Sequence, residues 1–216
     1  MSAKTFATIF RGLEEAFGTY EINSTKANGK QTGQAKIVRE SRTEAHWEGH
    51  LSGKGASVGI IPINADNNCV WGCVDIDQYN FNHKELIDKI RKKKLPLVVC
   101  RSKSGGAHVF LFADDWMPAK DMQEVLRHIA SALGYSGSEI FPKQIKLQLD
   151  RGDVGNFLNM PYYNAEDGLR YAFKDDGSAA TLEEFFELHK AYVQTPEQIL
   201  ALQVQKEDNL PVPDGP

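Results

Sequence analysis

Apolar residues recur every three or four positions at the start of the chain, which is the spacing of one face of a helix. These residues are Phe6, Ile9, Phe10, Leu13 and Phe17. We therefore expect an amphipathic helix over residues 4–17. Similar spacing and end signals predict helices over 83–93, 118–134, 181–193 and 195–205.

Runs rich in Val, Ile and Phe lie between these helices and predict strands. The runs "SVGIIPIN" and "CVWGCVDID" flank the turn "ADNN", so we expect them to form an antiparallel pair. Further strands are predicted in "LPLVVCRS", "AHVFLFA", "SEIFP", "IKLQLD" and "NFLNMP". The dipeptide Asn28-Gly29 between polar, alternating segments predicts a hairpin or a loop. Strands and helices do not alternate regularly, which favours an α+β fold with a mostly antiparallel sheet.

Length and composition narrow the class of protein. The 216 residues, 41% of them hydrophobic, suffice for one large domain, and no apolar run approaches the length of a membrane span. We expect a protein of the cytoplasm of a bacterial or phage-infected cell, without a membrane partner. The three cysteines form no disulfide framework. Cys69 and Cys73 have the spacing of half a zinc site on a helix, but they lie in a strand-like run without a second Cys or His pair.

The charge is unevenly spread along the chain. The net charge of −4 argues weakly against a nucleic-acid partner, but basic residues cluster in "DKIRKKK", residues 88–94. A local basic strip on a near-neutral body suits a charged polymer such as DNA. The alternative is a solvated helix end, where Lys and Arg stabilise the C-terminal dipole.

Two aspartates, Asp75 and Asp77, stand at the end of the apolar run "CVWGCVDID". Residues i and i+2 of a strand point to one face, so both carboxylates can approach one cation, with Cα atoms roughly 7 Å apart. Two buried carboxylates repel each other unless a cation neutralises them, and oxygen ligands suit Mg²⁺ or Mn²⁺. Two exposed aspartates that cap the turn "QYN" fit the same pattern.

The segment "CRSKSGGAHVFLF", residues 100–112, predicts a strand, a Ser/Lys/Gly loop and a second strand. Ser102, Lys103 and Ser104 provide hydroxyl donors and a positive charge, and Gly105 belongs to a glycine pair that lets backbone amides approach a ligand. This chemistry suits a triphosphate, although the residue order is not that of a Walker loop. An ordinary hairpin turn explains the same residues.

His108 and Glu139 are titratable residues within apolar, strand-like segments. Alternation places His108 on the same strand face as Phe110. It is a candidate ligand contact or a structural histidine with satisfied hydrogen bonds. Glu139, in "SEIFPKQ", is either a charge on an edge strand or a third metal ligand. Asp150 and Asp153, further along the chain, are rival carboxylates.

The segments "DID", "SKSGGAHVFLF", "EIFPKQ" and "GNFLNMPYYN" together resemble the archaeo-eukaryotic primase superfamily, the primase-polymerases. The details are similar to the branch found in phages and mobile elements, and the resemblance covers about residues 47–164. It implies a catalytic domain with an antiparallel sheet like that of an RNA-recognition motif, joined to a small N-terminal α/β unit.

The resemblance implies a role for individual residues. Asp75 and Asp77 match the first acidic motif, and Glu139 best matches the acid that completes a two-metal site for Mg²⁺ or Mn²⁺, with Asp150 as the fallback. His108 matches the histidine that contacts the phosphates of the incoming nucleotide. The further nucleotide contacts are Ser102, Lys103, Ser104, Gly105, Lys143 and Asn159.

The resemblance also implies how the chain is organised. We expect one domain over 1–207, with an N-terminal subunit at about 1–60, a catalytic core at about 61–175 and C-terminal helices at about 180–206. Residues 207–216 are expected to form an acidic, proline-rich tail, or a linker to a C-terminal helicase or accessory domain.

The implied activity is template-directed transfer of nucleotides to a 3′-hydroxyl, in primer synthesis and extension during DNA replication. The partners would be a DNA template, a primer and nucleoside triphosphates. Two alternatives stay open: a metal-dependent nuclease that uses the same acids, and a non-catalytic module that binds nucleic acid in replication initiation. The Ser/Lys/Gly loop favours nucleotide transfer over the nuclease, because a nuclease needs no triphosphate cradle. Candidates for a basic, aromatic template groove are Lys26, Lys30, Lys36, 89–94, Tyr79, Phe81, Tyr162 and Tyr163.

Overall fold

The computed structural model describes residues 1–25 and 31–202, which contain six helices and eight strands. The helices are α1 (Ser2–Ile9), α2 (Glu44–Ser52), α3 (His83–Lys92), α4 (Ala119–Leu133), α5 (Leu182–Tyr192) and α6 (Pro196–Leu200). The strands are β1 (Phe17–Thr25), β2 (Gln31–Val38), β3 (Ser57–Ile60), β4 (Asn68–Ile76), β5 (Val98–Arg101), β6 (Ala107–Pro118), β7 (Glu139–Phe141) and β8 (Leu158–Asn159). None of the helices in these residues has the length and apolar character of a membrane span.

Four strands form an antiparallel sheet in the order β2-β1-β3-β8, called the N-terminal sheet below. β1 and β2 pair over their length, with Phe17 opposite Val38, which confirms the predicted hairpin. The turn at Asn28-Gly29 itself lies outside the described residues. β8 comes from much later in the chain and places Leu158 opposite Ile60 of β3.

The other four strands form the central sheet, in the order β5-β6-β4-β7. All three pairings are antiparallel, and α3 and α4 connect β4 to β5 and β6 to β7. A β-α-β-β-α-β succession with this strand order is the ferredoxin-like arrangement that RNA-recognition motifs share. The predicted α+β class is confirmed.

Both faces of the central sheet are buried in a hydrophobic core. Val109 of β6 packs on one face with Leu126 of α4, in the core cluster that α3 and α4 cover. Phe110 faces the other way and packs on Phe10, which in turn packs on Phe185 of α5. The rings of Phe10 and Phe185 are stacked, with centroids 5.8 Å apart. The centre of the sheet is therefore fixed on two sides.

The predicted helix over 4–17 is wrong beyond Ile9, where α1 ends. The backbone N–H of Leu13 donates to the carbonyl of Ile61 at 2.9 Å, so a tertiary contact replaces a helical hydrogen bond. Phe17 begins β1. The apolar residues are buried as their spacing predicts, but the backbone that carries them follows the neighbouring strand.

The expected pair between "SVGIIPIN" and "CVWGCVDID" is also wrong. β3 pairs with β1 and β8, whereas β4 pairs with β6 and β7. Pro62 lies between the two strands and has no N–H to donate to a ladder. The chain passes from one sheet to the other at this point.

Local patterns predicted one strand that does not form and missed one helix that does. The predicted strand "IKLQLD" is a loop with a 3-10 turn at Leu149–Arg151, and the N–H of Leu147 donates to Asn67 Oδ1 at 2.8 Å. α2 was not predicted, because its apolar residues lack a helical period. Its signal is the N-cap Thr43, whose side chain and backbone form a capping box with His46.

The two predicted C-terminal helices are confirmed as α5 and α6, although α6 ends at Leu200. Each begins at a threonine capping box, with Thr181 before α5 and Thr195 before α6. The predicted tail at 207–216 lies outside the described residues. The division of the chain into subunit, core and helices stays a prediction.

Candidate active site

Three titratable residues form one row across the central sheet. Asp75 of β4 lies opposite His108 of β6 on one side and opposite Glu139 of β7 on the other. Residues directly opposite in antiparallel strands have Cα atoms about 4.5–5.5 Å apart. His108 Nε2 lies 3.4 Å from Asp75 Oδ1, and the His108 ring lies 6.0 Å from that of Phe110. Strand register thus gathers residues from three separate segments.

The row runs from the interior of the protein to its surface. The side chain of His108 is 9% exposed, that of Asp75 23% and that of Glu139 61%. Glu139 Oε1 accepts from Lys143 Nζ at 2.9 Å. The two inner groups therefore contact each other, while the exposed outer carboxylate pairs with a lysine.

The Ser/Lys/Gly loop closes over the end of β4. Ser104 Oγ donates to Asp77 Oδ1 at 3.0 Å, and Ser102 Oγ lies 3.2 Å from Ser104 Oγ. The turn is tight, because the N–H of Gly105 donates to the carbonyl of Ser102 at 3.1 Å and the N–H of Ser102 to that of Gly106 at 3.0 Å. These bonds place both hydroxyls beside Asp77.

Lys103 reaches from this loop to the other sheet. Its Nζ lies 3.6 Å from the centre of the Tyr20 ring. Tyr20 is a buried residue of β1. The contact is a cation–π interaction that holds a positive charge at the boundary between the two sheets.

A cavity of about 280 Å³ brings the predicted residues together. The predicted residues that line it are Asp75, Asp77, Ser102, Lys103, Ser104, His108, Glu139, Lys143 and Asn159. Gly105 lies in the turn beside it, and Asp150 lies in the 3-10 turn at Leu149–Arg151 rather than in its wall. Asn159 Oδ1 is buried without a hydrogen-bond partner among the described residues.

Sequence reasoning missed a part of this wall. Phe141, Asn156, Phe157 and Leu158 also line the cavity. Phe157 and Asn156 belong to the stretch "GNFLNMPYYN", which was noted without a role for them. Tyr20 carries no motif, so nothing in the local sequence connects it with Lys103.

The chemistry of the donor set fits a hard divalent cation. Asp75, Asp77 and Glu139 offer carboxylate oxygens to one cavity, as Mg²⁺ and Mn²⁺ prefer. Among the described residues, however, no three His, Cys, Asp or Glu side chains converge closely enough to hold an ion. Asp77 accepts a hydrogen bond from Ser104, and Glu139 forms an ion pair with Lys143. Ion binding by all three acids would therefore need rotation of these side chains.

The three cysteines lie in the core and not in the wall of the cavity. Cys69, Cys73 and Cys100 are free and buried. Burial raises the pKa of the Cys69 thiol to about 12. Burial, with the nearby Asp75 carboxylate, raises the pKa of Cys73 well above its usual value. All three act as small apolar groups, since only the thiolate binds metals or attacks.

The candidate template groove stays a prediction, and the structure contradicts one of its residues. The prediction that Tyr162 stacks on a template base is wrong, because this residue is buried. Its hydroxyl donates to the carbonyl of Ala180 at 2.9 Å. Lys36 pairs with Glu21 at 3.4 Å, and Lys89 Nζ donates to the carbonyl of Leu133 at 3.0 Å. Lys26 and Lys30 lie outside the described residues.

No curated protein matches the chain. Among solved structures, it is similar to the primase RepB′, with 14% identity and a TM-score of 0.41 over 88% of this chain and 60% of that one. It is also similar to the catalytic domain of primase RepB′ in complex with initiator DNA, with 15% identity and a TM-score of 0.38 over 95% of this chain and 97% of that one. The chain thus spans 60% of the length of the first of these structures.

The family is established by a match of sequence. The model of the archaeo-eukaryotic primase domain of TOTE conflict systems matches residues 14–199, which is most of the chain. The match includes both sheets and the whole row of Asp75, His108 and Glu139. The chain therefore belongs to the archaeo-eukaryotic primase domain family of TOTE conflict systems.

Proposed function

We propose that the protein is a primase-polymerase that transfers nucleotides from nucleoside triphosphates to the 3′-hydroxyl of a DNA strand under the direction of a template. The observation that carries the proposal is the row of His108, Asp75 and Glu139 across three strands, beside the Ser/Lys/Gly loop. Family membership supports a primase-like function.

The proposed metal ligands are Asp75, Asp77 and Glu139, with Mg²⁺ or Mn²⁺ as the ion. When bound, such ions activate the attacking hydroxyl and neutralise the charge of the phosphates. Carboxylates in one cavity repel each other, so an ion between them is favoured on electrostatic grounds. This charge also explains why Lys143 contacts Glu139 in the described conformation.

The cationic and hydroxyl groups of the cavity are proposed to bind the triphosphate. Lys103 supplies a charge that is held in place by Tyr20, and Ser102 and Ser104 supply hydroxyl donors. His108 contributes its ring N–H beside Asp75. Donors that are fixed before the reaction stabilise the charge that develops on the phosphoryl group.

Lys143 has two possible anionic partners in this scheme. It pairs with Glu139 at 2.9 Å and also lines the cavity. Ion binding by Glu139 would release Lys143, whose ammonium would then be available to a phosphate. Asn159 can donate its amide to the same ligand.

The proposed partners are a DNA template with its primer and nucleoside triphosphates. An attached helicase or accessory domain, and a place in the cytoplasm, belong to the same proposal. The family name further associates such domains with conflict systems. We extend the proposal to a role in such a system.

A primer-extension assay tests the proposed activity. It uses a labelled primer-template, all four dNTPs and Mg²⁺ or Mn²⁺, with the wild type beside an Asp75→Ala/Asp77→Ala double variant. Extension by the wild type alone is the expected result. Shortening of the primer would instead indicate the nuclease, and unchanged primer with DNA bound would indicate the non-catalytic module.

A further inference from the structure

Phe157 joins the two sheets at the edge of the cavity. It directly precedes β8 of the N-terminal sheet, and it lines the cavity that also contains Asp75, His108 and Glu139. Its ring lies flat on two glycines of that sheet. A Cβ at Gly18 would lie 2.2 Å from Phe157 Cγ, and one at Gly59 would lie 2.2 Å from Phe157 Cδ2. Only residues without a side chain leave room for the ring at this depth.

The chain around Phe157 is held on both sides. The N–H of Asn156 donates to Gln144 Oε1 at 3.0 Å, and the N–H of Gly155 donates to Asp153 Oδ1 at 3.0 Å. On the other side, Leu158 lies in register with Ile60 of β3. One face of the ring is therefore fixed on the glycines, while the ring still borders the cavity.

The cavity has two chemically different parts. The carboxylates, hydroxyls and lysines belong to the central sheet and its loops, and they suit a metal ion and phosphates. Phe157 is half-buried, whereas the other phenylalanine in the wall, Phe141, is buried and lies under the Lys143 ammonium at 5.2 Å. A half-buried flat ring beside a triphosphate cradle suits the nucleoside part of a nucleotide, since base and sugar pack well on aromatic faces.

We propose that Phe157 is the platform for the nucleoside of the incoming nucleotide, with Gly18 and Gly59 setting the depth of its ring. The inference rests on the proposed function and adds the half of the site that belongs to the N-terminal sheet. Phe157 acts on the base and sugar and does not contact the triphosphate. Its removal weakens the binding of nucleotides but not that of a bare polyphosphate.

The test compares two probes by calorimetry in the presence of Mn²⁺: dATP and inorganic tripolyphosphate. We expect Phe157→Leu, which keeps an apolar side chain but loses the flat ring, to weaken dATP binding about tenfold. Its affinity for tripolyphosphate should stay within about twofold of wild type. Phe157→Tyr should retain dATP binding, and Phe157→Ala should lose at least as much as Phe157→Leu.

A matched control is Phe186→Ala, which removes another half-buried ring far along the chain, on α5. It should leave both affinities unchanged. Thermal unfolding of each variant checks that it folds. If Phe157→Ala does not fold, Phe157→Leu alone tests the inference. Equal loss of affinity for both probes, or no loss for either, would overturn the inference.

Failure of the inference is distinguishable from failure of the proposed function. A wild type that extends primers and binds dATP, with Phe157→Leu indistinguishable from it, overturns only the role of Phe157. A wild type that binds neither probe and extends no primer overturns both.

Discussion

The two sheets contribute to the cavity in different ways. The central sheet brings Asp75, His108 and Glu139 into one row by strand register. The N-terminal sheet contributes Tyr20 and Phe157 through close packing, with one ring under a lysine and the other on glycines. A register slip of one residue would turn every side chain of a central strand to the opposite face. Small changes of volume would instead displace the groups of the N-terminal sheet.

The central sheet thus supplies charged groups to the cavity, and the N-terminal sheet supplies part of its shape. Removal of a charged group of the central sheet should abolish or strongly reduce the reaction. Changes at the N-terminal sheet should alter how the substrate is held, or the stability of the sheet itself, and their effects should be smaller.

The largest effect is expected for Asp75→Asn, which keeps the size of the side chain but removes its charge. We expect primer extension to fall about 1000-fold or more, because the substitution removes a charged metal ligand. The fold should survive, since Asn can keep a polar contact with His108. Extension rates and circular dichroism measure the two outcomes.

Asp114→Asn is the matched control for this substitution. Asp114 is exposed near the far end of β6 in the same sheet. Its variant should extend primers as the wild type does. Activity of Asp75→Asn within about tenfold of the wild type would contradict the proposed role of the acidic row.

A smaller effect is expected for Lys103→Met. The loss of one charge-assisted contact to the triphosphate should raise the KM for dNTPs about 10- to 100-fold. Lys103→Arg keeps the charge and should lose less. The control is Lys190→Met, at an exposed position of α5, where Lys190 pairs with Glu187. Steady-state kinetics decide, and an unchanged KM for Lys103→Met would remove Lys103 from the site.

The N-terminal region should be sensitive to acid through His50. His50 Nδ1 accepts the N–H of Val58 at 2.9 Å, and its Nε2–H donates to the carbonyl of Pro161 at 2.8 Å, so the buried ring must be neutral. Burial lowers its pKa from 6.5 to about 3. Between these values the unfolded chain binds the proton and the folded chain does not, so stability falls as the pH falls.

At pH 5 this group should cost about 2 kcal/mol of unfolding free energy relative to pH 7. His50→Gln, whose amide can accept and donate in place of the ring, should remove that part of the pH dependence. His128→Gln, at an exposed position of α4, should not change it. Denaturant titrations at the two pH values measure the difference, and equal pH dependence in wild type and His50→Gln would contradict the account of His50.

The smallest effect is expected at Tyr20. Cation–π contacts at sites of this kind contribute about 0.5–1 kcal/mol, so Tyr20→Leu should raise the KM for dNTPs only about two- to fivefold. Tyr20→Phe keeps the ring and should behave as the wild type. The ratio of the two KM values measures the contact, and identical values for Leu and Phe would show that Lys103 does not depend on the ring.

The same contrast explains what the sequence could predict. The α+β class, both C-terminal helices and most strands followed from local patterns, and the acids and the Ser/Lys/Gly loop were found because their chemistry is unusual next to apolar strands. Leu13 and Phe17 were misplaced on a helix, because their burial depends on contact with a distant strand. Tyr20 lies in no motif, and Phe157 lies in the motif "GNFLNMPYYN" without a predicted role. The contacts of both residues come from tertiary packing, which no local pattern shows.

The most direct test of a single nucleotide site built from both sheets is a crystal structure with Mn²⁺ and a non-hydrolysable dNTP, in which anomalous scattering locates the metal. We predict that Mn²⁺ lies on Asp75 and Asp77, that Glu139 has exchanged Lys143 for the ion, and that the nucleoside lies on Phe157. Mn²⁺ bound away from these aspartates, or a nucleotide bound outside the cavity, would contradict the account.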